Sequence, residues 1–436
     1  MSGLFDGTFA RGGAAIAVTD DAWLRALLEV EAALARAAAR SGLVPMTAAD
    51  AVAAACGDPS RLDLATVVAK AADAGNPVPP LVRALRDAVG PDAARAVHVG
   101  ATSQDVVDTA LLLLARNAIA AIDADLVAAA EAAARLAAAH RDDVVMGRTL
   151  MQQALPTTFG LKAAGWLAGL DGARIRLAEV VASLPVQYGG AVGTLPGVGI
   201  AVRSALAEEL GLESTALAWH TVRLPVADLA GALGATAGVV ATVAVDVVLM
   251  AQTEVGEVAE VSGTRGGSSV MPHKNNPVAA ISARACARRA PGLVATLFAA
   301  MEQEHERAAG AWHSEWPTLT QLLSTVGSAA SWLAESLTSL RPDVDRMAAA
   351  AAAADGGLAG AIAEALTPSL GPDAAHDAAA QAVREARESG RPVTDVLAGR
   401  PGLDLGSLSL APDVGEAGPQ VDAALDEHRR LTEGTS

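Results

Sequence analysis

Long alanine-rich runs restrict the fold of this chain more than any other feature. The run from residue 109 to 141 reads TALLLLARNAIAAIDADLVAAAEAAARLAAAHR and predicts a helix of about nine turns. Comparable runs occupy residues 157 to 183, 226 to 260 and 276 to 309. Aromatic residues make up only 3% of the chain, and small aliphatic residues supply most of its 52% hydrophobic content, which favours helix over sheet. We therefore predict an all-α protein built on a central bundle of long helices.

Turn sequences and composition divide the chain into three predicted domains. Residues 1–108 have the pattern of short amphipathic helices, interrupted by the turn sequences GDPS and GNPVPP. Residues 109–341 contain the long helical runs and form the predicted central bundle. Residues 342–436 begin with an alanine-rich segment and end in a polar tail, which predicts a small C-terminal helical domain.

The charge of the chain argues against several classes of partner. It carries 49 acidic and 32 basic residues, a net charge of −17, which repels phosphate backbones and anionic lipid surfaces. We predict no binding to nucleic acid and none to membranes. The uncharged run from residue 229 to 245 has 17 residues, whereas a membrane span needs roughly 20, so we interpret it as a bundle helix buried on all sides.

Cysteine and histidine patterns restrict the cofactor chemistry. The chain has only Cys56 and Cys286 and lacks an HExxH helix, so we predict neither a disulfide framework nor a metal site. The N-terminal sequence MSGLFDGTFARGG lacks the basic and apolar regions of a secretory signal. We therefore expect a cytoplasmic protein.

A glycine-rich segment, residues 263 to 277, is the first candidate for a functional site. It holds three glycines, the adjacent Ser268 and Ser269, and a polar run that includes Lys274. Glycine lets backbone N–H groups converge on an anion, and lysine adds a full positive charge. The spacing is not that of a Walker loop. The segment is either a cradle for carboxylates or a flexible surface loop, and composition alone leaves both open.

Two further breaks between helices carry polar side chains. Thr102 and Ser103 in GATSQD precede the longest run, where they either cap a helix or help its first N–H groups to bind an anion. In MGRTLMQQALP, Arg148 and Gln152 either serve a site or Arg148 pairs with an acidic neighbour.

A third polar segment, residues 303 to 316, reads QEHERAAGAWHSEW. If it is helical, Gln303 and Arg307 share one face, and His305 and Trp312 lie two turns apart on another. One stripe of this helix would then be polar and face inward.

At the glycine-rich segment the chain resembles a known family. The sequence GSSVMPHKNNP, residues 267 to 277, resembles the signature GSSxMPxKxNP of the aspartase/fumarase superfamily. GATSQDVVDT and GRTLMQQALPTTFG precede it in the order typical of that superfamily. More narrowly, GNPVPPLV, HVGATSQDVVDT, WHTVR, QTEVGEV and LFAAMEQEHERAAGAWHSEW are similar to the 3-carboxy-cis,cis-muconate cycloisomerase family. The resemblance is weaker in the C-terminal tail.

This resemblance implies a three-domain, all-α aspartase/fumarase-type fold and a homotetramer whose active sites are shared between subunits. It implies no cofactor, and a small polycarboxylate substrate that gains or loses a proton next to a carboxylate through an aci-carboxylate intermediate. Ser268 would be the base, with Ser269 as the alternative, and Lys274 would assist catalysis and bind a carboxylate. Residues from several segments would bind the substrate: Thr102, Ser103, Gln104, Arg148, Gln152, His220, Asn276, His305 and Arg307.

One departure from the superfamily pattern points to the reaction. Lyases that expel an amine, a hydroxyl or a nucleotide usually read GRTH in the second motif, whereas this chain has Leu150 in place of the histidine. Leu150 cannot donate a proton, and we expect it to line an apolar side of the pocket. A carboxylate leaving group has a conjugate acid with a pKa of about 4 and departs unassisted. The resemblance and this departure together predict conversion of 3-carboxy-cis,cis-muconate to 4-carboxymuconolactone.

Other reactions stay open. Nitrite is also a good leaving group, so a nitrosuccinate-type lyase that forms fumarate and nitrite would tolerate Leu150 equally well. Asn275 stands where the cycloisomerases usually have arginine, which removes a positive charge beside a tricarboxylate. An adenylosuccinate-type lyase fits less well because its leaving group needs an acid. An inactive helical scaffold would have little reason to keep Ser268, Lys274 and Asn276 in register.

Overall fold

The computed structural model describes residues 3–261, 266–267, 274–353, 355–391, 393–398 and 413–433. Helices dominate it, which confirms the prediction of an all-α protein. The helices are α1 (Asp6–Phe9), α2 (Gly13–Ile16), α3 (Asp20–Arg40), α4 (Met46–Gly57), α5 (Leu64–Ala74), α6 (Val78–Val89), α7 (Ser103–Ala139), α8 (Phe159–Ala182), α9 (Ala201–Leu210), α10 (Leu224–Met250), α11 (Val278–Ala287), α12 (Ala290–Ala299), α13 (Ala311–Ser339), α14 (Val344–Ala352), α15 (Asp355–Leu370), α16 (Pro372–Ser389), α17 (Val393–Leu397) and α18 (Ala417–Glu433). The strands are β1 (Val144–Thr149), β2 (Gln152–Thr158), β3 (Val258–Glu260) and β4 (Leu340–Pro342).

The chain divides into two compact units. Unit 1 comprises residues 1–128, 172–245 and 279–335, and unit 2 comprises residues 129–171, 246–278 and 336–436. Four of the five boundaries fall inside the long helices α7, α8, α10 and α13. The division into three domains at residues 108 and 341 stays a prediction.

Three of the four predicted long runs are helices. α7 begins at Ser103, earlier than the predicted residue 109, and α8 follows the second run closely. α10 ends at Met250 rather than at residue 260. These three helices have 37, 24 and 27 residues, which agrees with a fold based on long helices.

The predicted long helix over residues 276 to 309 is wrong. The structure has two short helices there, α11 and α12, and residues 300–310 are not helical. Pro291 lies in the first turn of α12, where its ring is tolerated, but the same ring prevents α11 from continuing. Gly310 has φ of +124°, which a helix cannot contain. The fourth long helix is α13 instead.

Unit 1 has an apolar core around α3. The Thr19 side chain accepts a hydrogen bond from the Ala22 N–H and caps the start of this helix. Leu27 and Leu34, two turns apart, are buried on one face of α3. They belong to the same cluster as Leu81 of α6 and residues of α4 and α9. The first hundred residues thus form amphipathic helices, but α3, with 21 residues, is longer than the short helices predicted.

Among the described helices, α10 is the one long and apolar enough to cross a membrane. Its Leu233 is fully buried in the protein. The opposite side carries an exposed stripe of small residues, Gly231, Ala235, Gly238 and Thr242, which we call the α10 stripe. The prediction of burial on all sides is therefore wrong for a single chain. Composition could not reveal this, because glycine and alanine are apolar on either face.

Unit 2 combines two short antiparallel strand pairs with the helices α14 to α18. β1 pairs with β2, and β3 pairs with β4. α15 and α16 pack around Ile362, Leu366 and Ala379. His428 of α18 contacts the buried Asp171 carboxylate, with 2.8 Å between Nδ1 and Oδ2.

A buried charge cluster joins three segments of unit 1. Arg223 is fully buried between the carboxylates of Asp108 and Glu315. Its Nη1 atom donates to Asp108 Oδ2 at 2.7 Å and its Nε atom donates to Glu315 Oε1 at 3.0 Å. Trp312 Nε1 donates to Asp108 Oδ1, and the Trp219 ring lies 4.8 Å from the guanidinium. Burial lowers the pKa of Arg223, but the two carboxylates more than offset it, so the pKa is raised.

Removal of the Arg223 guanidinium should destabilise the protein strongly. We expect Arg223→Met to cost about 3 to 5 kcal/mol of unfolding free energy, because it leaves two carboxylates buried without their cation. Arg135→Ala is the matched control, because its pair with Glu131 is 4.0 Å long and exposed on both sides; we expect a change below about 0.5 kcal/mol. Thermal unfolding at one fixed protein concentration measures both. Equal midpoints for the two variants would contradict the prediction.

Candidate active site

Thr102 and Ser103 lie where the chain enters α7. Gly100 has φ of +63°, and a Cβ there would lie 2.8 Å from the Tyr188 hydroxyl, so the turn requires glycine. The Thr102 N–H donates to Asp105 Oδ2 at 3.0 Å. Both hydroxyl residues are half-buried at the N-terminal end of a 37-residue helix, where unpaired N–H groups favour an anion.

Asp105 organises the backbone around these residues. Its buried carboxylate accepts from the N–H groups of Thr102, Gly189 and Gly190 at 2.8 to 3.0 Å. His220 Nε2 lies 2.7 Å from Asp105 Oδ1, which places the ring proton on that nitrogen. His220 is only 5% exposed, and its contact with Asp105 fixes the orientation of the ring. A role of His220 in binding the substrate stays a prediction.

Gln104 and Arg307 contact each other in the same unit. Gln104 Oε1 accepts from Arg307 Nε at 3.1 Å, and Gln104 Nε2 donates to the His220 carbonyl at 2.8 Å. Arg307 Nη2 also donates to the Ala191 carbonyl at 3.1 Å. The structure therefore brings together Gln104, His220 and Arg307 from three distant parts of the sequence.

The segment before α13 differs from the predicted inward-facing helix. His305 has φ of +48° and is exposed, so it lies in a turn. Gln303 Nε2 donates to Glu315 Oε1 at 3.0 Å, whereas Arg307 contacts Gln104. The predicted shared faces are wrong because the left-handed turn interrupts the helical spacing. Binding of substrate by His305 stays a prediction.

In unit 2, Arg148 is paired with Glu257. The two guanidinium Nη atoms donate to the two carboxylate oxygens at 2.8 and 2.6 Å. Glu257 is fully buried and directly precedes β3, whereas the Arg148 side chain is 28% exposed. Of the two alternatives that the sequence left open, Arg148 pairs with an acidic residue. A direct contact between Arg148 and the substrate stays a prediction.

The β1–β2 hairpin ends in a two-residue turn. Leu150 and Met151 have φ of +50° and +67°, and Thr149 pairs with Gln152 on either side of them. Such a turn normally takes Asn-Gly, because bulky residues are strained in left-handed backbone. Leu150 is 96% exposed and Gln152 is exposed as well. Within one chain Leu150 does not line an apolar pocket, so that expectation is wrong.

The two ends of the signature segment are held together at its base. The Asn276 N–H and Nδ2 both donate to the Gly266 carbonyl at 3.0 Å. Gly266 has φ of +89°, and a Cβ there would lie 2.5 Å from Asn276 O. Asn275 Nδ2 donates to the Glu260 carbonyl at 3.0 Å, and Lys274 is exposed. Asn275 thus has a structural function in place of the charge of an arginine.

Ser268 and Ser269, the predicted base and its alternative, lie outside the described residues. The other predicted site residues fall into two groups. Unit 1 holds Thr102, Ser103, Gln104, His220, His305 and Arg307, and unit 2 holds Arg148, Gln152, Lys274 and Asn276.

A buried histidine–carboxylate pair was not anticipated from the sequence. His98 Nδ1 lies 2.6 Å from Oε1 of Glu31, which is fully buried in α3. Burial by itself lowers the pKa of His98, but the Glu31 carboxylate more than offsets it and the pKa is raised. His98 also has φ of +63°. Its position four residues before Thr102 was the available signal, but a lone histidine does not reveal a partner 67 residues away.

Among the described residues, no group of three or more histidine, cysteine, aspartate or glutamate side chains could hold a metal ion. Cys56 and Cys286 are both buried as free thiols, and burial raises the pKa of Cys286 to about 11. Neither thiol is therefore a reactive thiolate near neutral pH.

Comparison with known proteins identifies the family. Residues 14–292 match a protein-family model described as lyase. The chain is 47% identical over 339 residues to 3-carboxy-cis,cis-muconate cycloisomerase of Bradyrhizobium diazoefficiens, which covers 76% of this chain and 75% of that protein. The chain belongs to the aspartase/fumarase superfamily. It is an enzyme of that superfamily, as its sequence motifs predict.

Other members support the same placement. Nitrosuccinate lyase of Streptomyces davaonensis is 46% identical over 364 residues, which are 80% of this chain and 76% of that protein. The crystal structure of 3-carboxy-cis,cis-muconate lactonizing enzyme from Pseudomonas putida has a TM-score of 0.90 and 39% identity, with 98% of this chain and 99% of that chain covered. The aspartase/fumarase-type fold is therefore confirmed.

The Glu31–His98 pair predicts a pH dependence of stability. Because the pKa of His98 is raised, its stabilising effect is complete below the unfolded-state value of about 6.5 and is lost as pH rises through the folded-state pKa. We expect Glu31→Gln to lower the thermal midpoint most at pH 6 and least at pH 9. Arg86 and Asp105 also act on His98 but remain in both proteins.

Asp143→Asn is the control, because it removes a similar pair in which Nδ1 of His140 lies 2.7 Å from Asp143 but the carboxylate is 42% exposed. We expect a smaller effect with a weaker pH dependence. A loss of stability in Glu31→Gln that is the same at pH 6 and pH 9 would show that the pair contributes packing rather than charge.

Proposed function

We propose that this enzyme is a cycloisomerase that converts 3-carboxy-cis,cis-muconate to 4-carboxymuconolactone. The observation that carries the proposal is the tip of the β1–β2 hairpin, where Leu150 and Met151 provide no titratable group. A reaction in which a carboxylate attacks or departs needs no proton donor at this place. The likeness to the lactonizing enzyme of Pseudomonas putida, which extends over 98% of the chain, supports the same substrate.

In the proposed reaction, a carboxylate oxygen of the substrate attacks one carbon of a conjugated double bond. The C–O bond forms while the π electrons move toward the neighbouring carboxylate and give an aci-carboxylate. A proton then adds to the carbon next to that carboxylate and forms the C–H bond of the lactone. We assign the donation of this proton to Ser268, with Ser269 as the alternative; the residue that is the base in the elimination direction is the proton donor here. Stabilisation of the negative charge is assigned to Lys274.

Several polar groups are the candidates for binding the substrate carboxylates. In unit 1, Thr102 and Ser103 stand at the positive end of α7, and Arg307 adds a full charge. In unit 2, Lys274 and Asn276 flank the end of the signature segment. The remaining candidates for substrate binding are Gln104, Arg148, Gln152, His220 and His305.

A nitrosuccinate-type lyase is the second candidate. The likeness to nitrosuccinate lyase at 46% identity favours it, and nitrite, like a carboxylate, departs without a proton donor. Asn275 also favours it, because an amide that binds the Glu260 carbonyl offers no charge to a third carboxylate. Both reactions would use the same serine, as the proton donor in lactonisation and as the base in nitrite elimination, and the same aci-carboxylate chemistry.

A two-substrate assay separates the candidates. A cycloisomerase removes the ultraviolet absorption band of 3-carboxy-cis,cis-muconate without releasing nitrite, whereas the lyase releases nitrite and fumarate from nitrosuccinate. We expect faster turnover of the muconate. Faster nitrite release would show that nitrosuccinate is the substrate and would leave the proposed aci-carboxylate chemistry unchanged. Turnover of adenylosuccinate or malate at a comparable rate would contradict the argument from Leu150.

We further propose that the enzyme is a cytoplasmic homotetramer with active sites shared between subunits. The α10 stripe supports this, because small residues let helix backbones approach closely. The exposed hairpin tip supports it as well, since Leu150 is 96% exposed on a single chain.

The α10 stripe gives a test of the assembly. Light scattering should give a mass about four times 43.6 kDa, and Gly238→Leu should lower it. Gly238 is exposed and a Cβ there meets nothing within 4 Å, so we expect the substitution to leave the fold of the single chain intact. Gly57→Leu is the control, because Gly57 is equally open but lies on α4. A wild-type monomer at micromolar concentration would refute the proposal.

The base assignment also has a direct test. We expect Ser268→Ala to lower kcat by about three orders of magnitude or more with little change in KM, because only the proton transfer is lost. Lys274→Ala should raise KM as well, since it removes a charge that binds the ground state. Ser269→Ala is the matched control. Near-normal kcat in Ser268→Ala would move the base to another residue, with Ser269 tested first.

A further inference from the structure

Gln104 is held in one orientation inside unit 1. It is the second residue of α7 and is fully buried. Its Nε2 atom donates to the His220 carbonyl at 2.8 Å, and its Oε1 atom accepts from Arg307 Nε at 3.1 Å. A backbone carbonyl can only accept and a guanidinium can only donate, so the two partners determine which end of the amide faces each of them. Gln104 therefore has no exposed surface for a substrate.

We propose that Gln104 is a positioning residue that holds Arg307 without neutralising it, so that the guanidinium keeps its charge for a carboxylate of the substrate. The sequence motif gave Gln104 a direct binding role, which its complete burial disfavours. The proposal rests on one part of the proposed function, namely that the substrate carries a carboxylate. It applies equally to a muconate and to a succinate derivative.

The contacts of Arg307 are all with neutral acceptors. Besides Gln104, its Nη2 atom donates to the Ala191 carbonyl at 3.1 Å and lies 3.5 Å from the Gly190 carbonyl. Within the described part of the chain, Arg307 makes no ion pair, and its Nη1 atom makes no hydrogen bond. The side chain is half-buried rather than enclosed. The guanidinium of Arg307 is thus held in place with its charge not neutralised, and its Nη1 atom is available to donate to a carboxylate.

Arg223 of the same unit shows the opposite arrangement. Its guanidinium is fully buried between Asp108 and Glu315, so its charge is balanced inside the protein. A carboxylate at position 104 would do the same to Arg307, because it would stand 3.1 Å from Nε in place of the amide oxygen. Arg223 is thus neutralised by two buried carboxylates, whereas the side chain that contacts Arg307 at position 104 is neutral.

Asp105 does not replace the missing carboxylate. Its two oxygens accept from the N–H groups of Thr102, Gly189 and Gly190 and contact His220. It therefore holds the backbone of Gly189 and Gly190, and the Gly190 carbonyl lies 3.5 Å from Arg307 Nη2. Gln104 and Asp105 are adjacent in sequence, and each orients a different part of the same site.

Gln104→Glu tests the proposal, because it places a negative charge beside Arg307 in a side chain of nearly the same shape; it also removes the Nε2 donor to the His220 carbonyl, a loss that Gln104→Met shares. Isothermal titration with tricarballylate and with succinate, near neutral pH, should show affinity reduced about tenfold or more. With the true substrate, KM should rise by a similar factor while kcat changes much less. The dependence of Kd on ionic strength should flatten, since one charge of the site is neutralised.

Gln104→Met and Gln321→Glu are the matched controls. The first removes both hydrogen bonds without adding charge and should weaken binding much less than Gln104→Glu. The second places the same charge on an exposed position of α13 and should leave binding unchanged. Equal losses in Gln104→Glu and Gln104→Met, with the same dependence on ionic strength, would mean that Gln104 only packs, and would overturn the proposal.

A double-mutant cycle keeps the test valid if Gln104→Glu is poorly folded. Arg307→Gln alone should weaken binding of tricarballylate as much as Gln104→Glu, and the two changes together should add little. If the losses add in full, the two side chains act separately and the proposal is wrong. Binding is measured without turnover, so inactivity toward both muconate and nitrosuccinate would refute the proposed function and leave this comparison intact.

Discussion

The buried pairing of Arg223 with two carboxylates is the constraint on which unit 1 depends. Asp108 belongs to α7, Glu315 belongs to α13, and Arg223 ends the segment that carries His220. Asp108 lies one turn beyond Asp105, so the same cation that closes the cluster also fixes the helix end that holds the candidate site. Removal of one partner leaves an unpaired charge buried in the protein. The packing of the three segments therefore depends on all three side chains.

A second constraint, found in both units, is the close approach of glycine backbone to neighbouring residues. A Cβ at Gly189 would lie 2.4 Å from Ala218 and 2.9 Å from the His220 ring. A Cβ at Gly266 would collide with Asn276 at the base of the signature segment. In each case glycine lets a backbone amide or carbonyl reach the polar side chain that orients the site.

The sequence was informative where a local period or a long motif carries the information. Helix spacing predicted α7, α8 and α10, and the signature from residue 267 to 277 predicted the family. The break at Pro291 and the left-handed turn at His305 were missed, because a helical pattern in side chains does not report the backbone angles between them. Partners distant in sequence, such as Glu31 for His98, are set by tertiary packing and leave no local pattern.

The hairpin tip has a consequence for how such a scaffold changes its chemistry. Leu150 projects from a two-residue turn, and its exposure of 96% means that almost nothing in its own chain packs against it. Replacement of that side chain therefore leaves the strand pairing of Thr149 with Gln152 and the Arg148–Glu257 pair in place. Within a single chain, the type of side chain at this position can therefore change without rebuilding the hairpin that carries it.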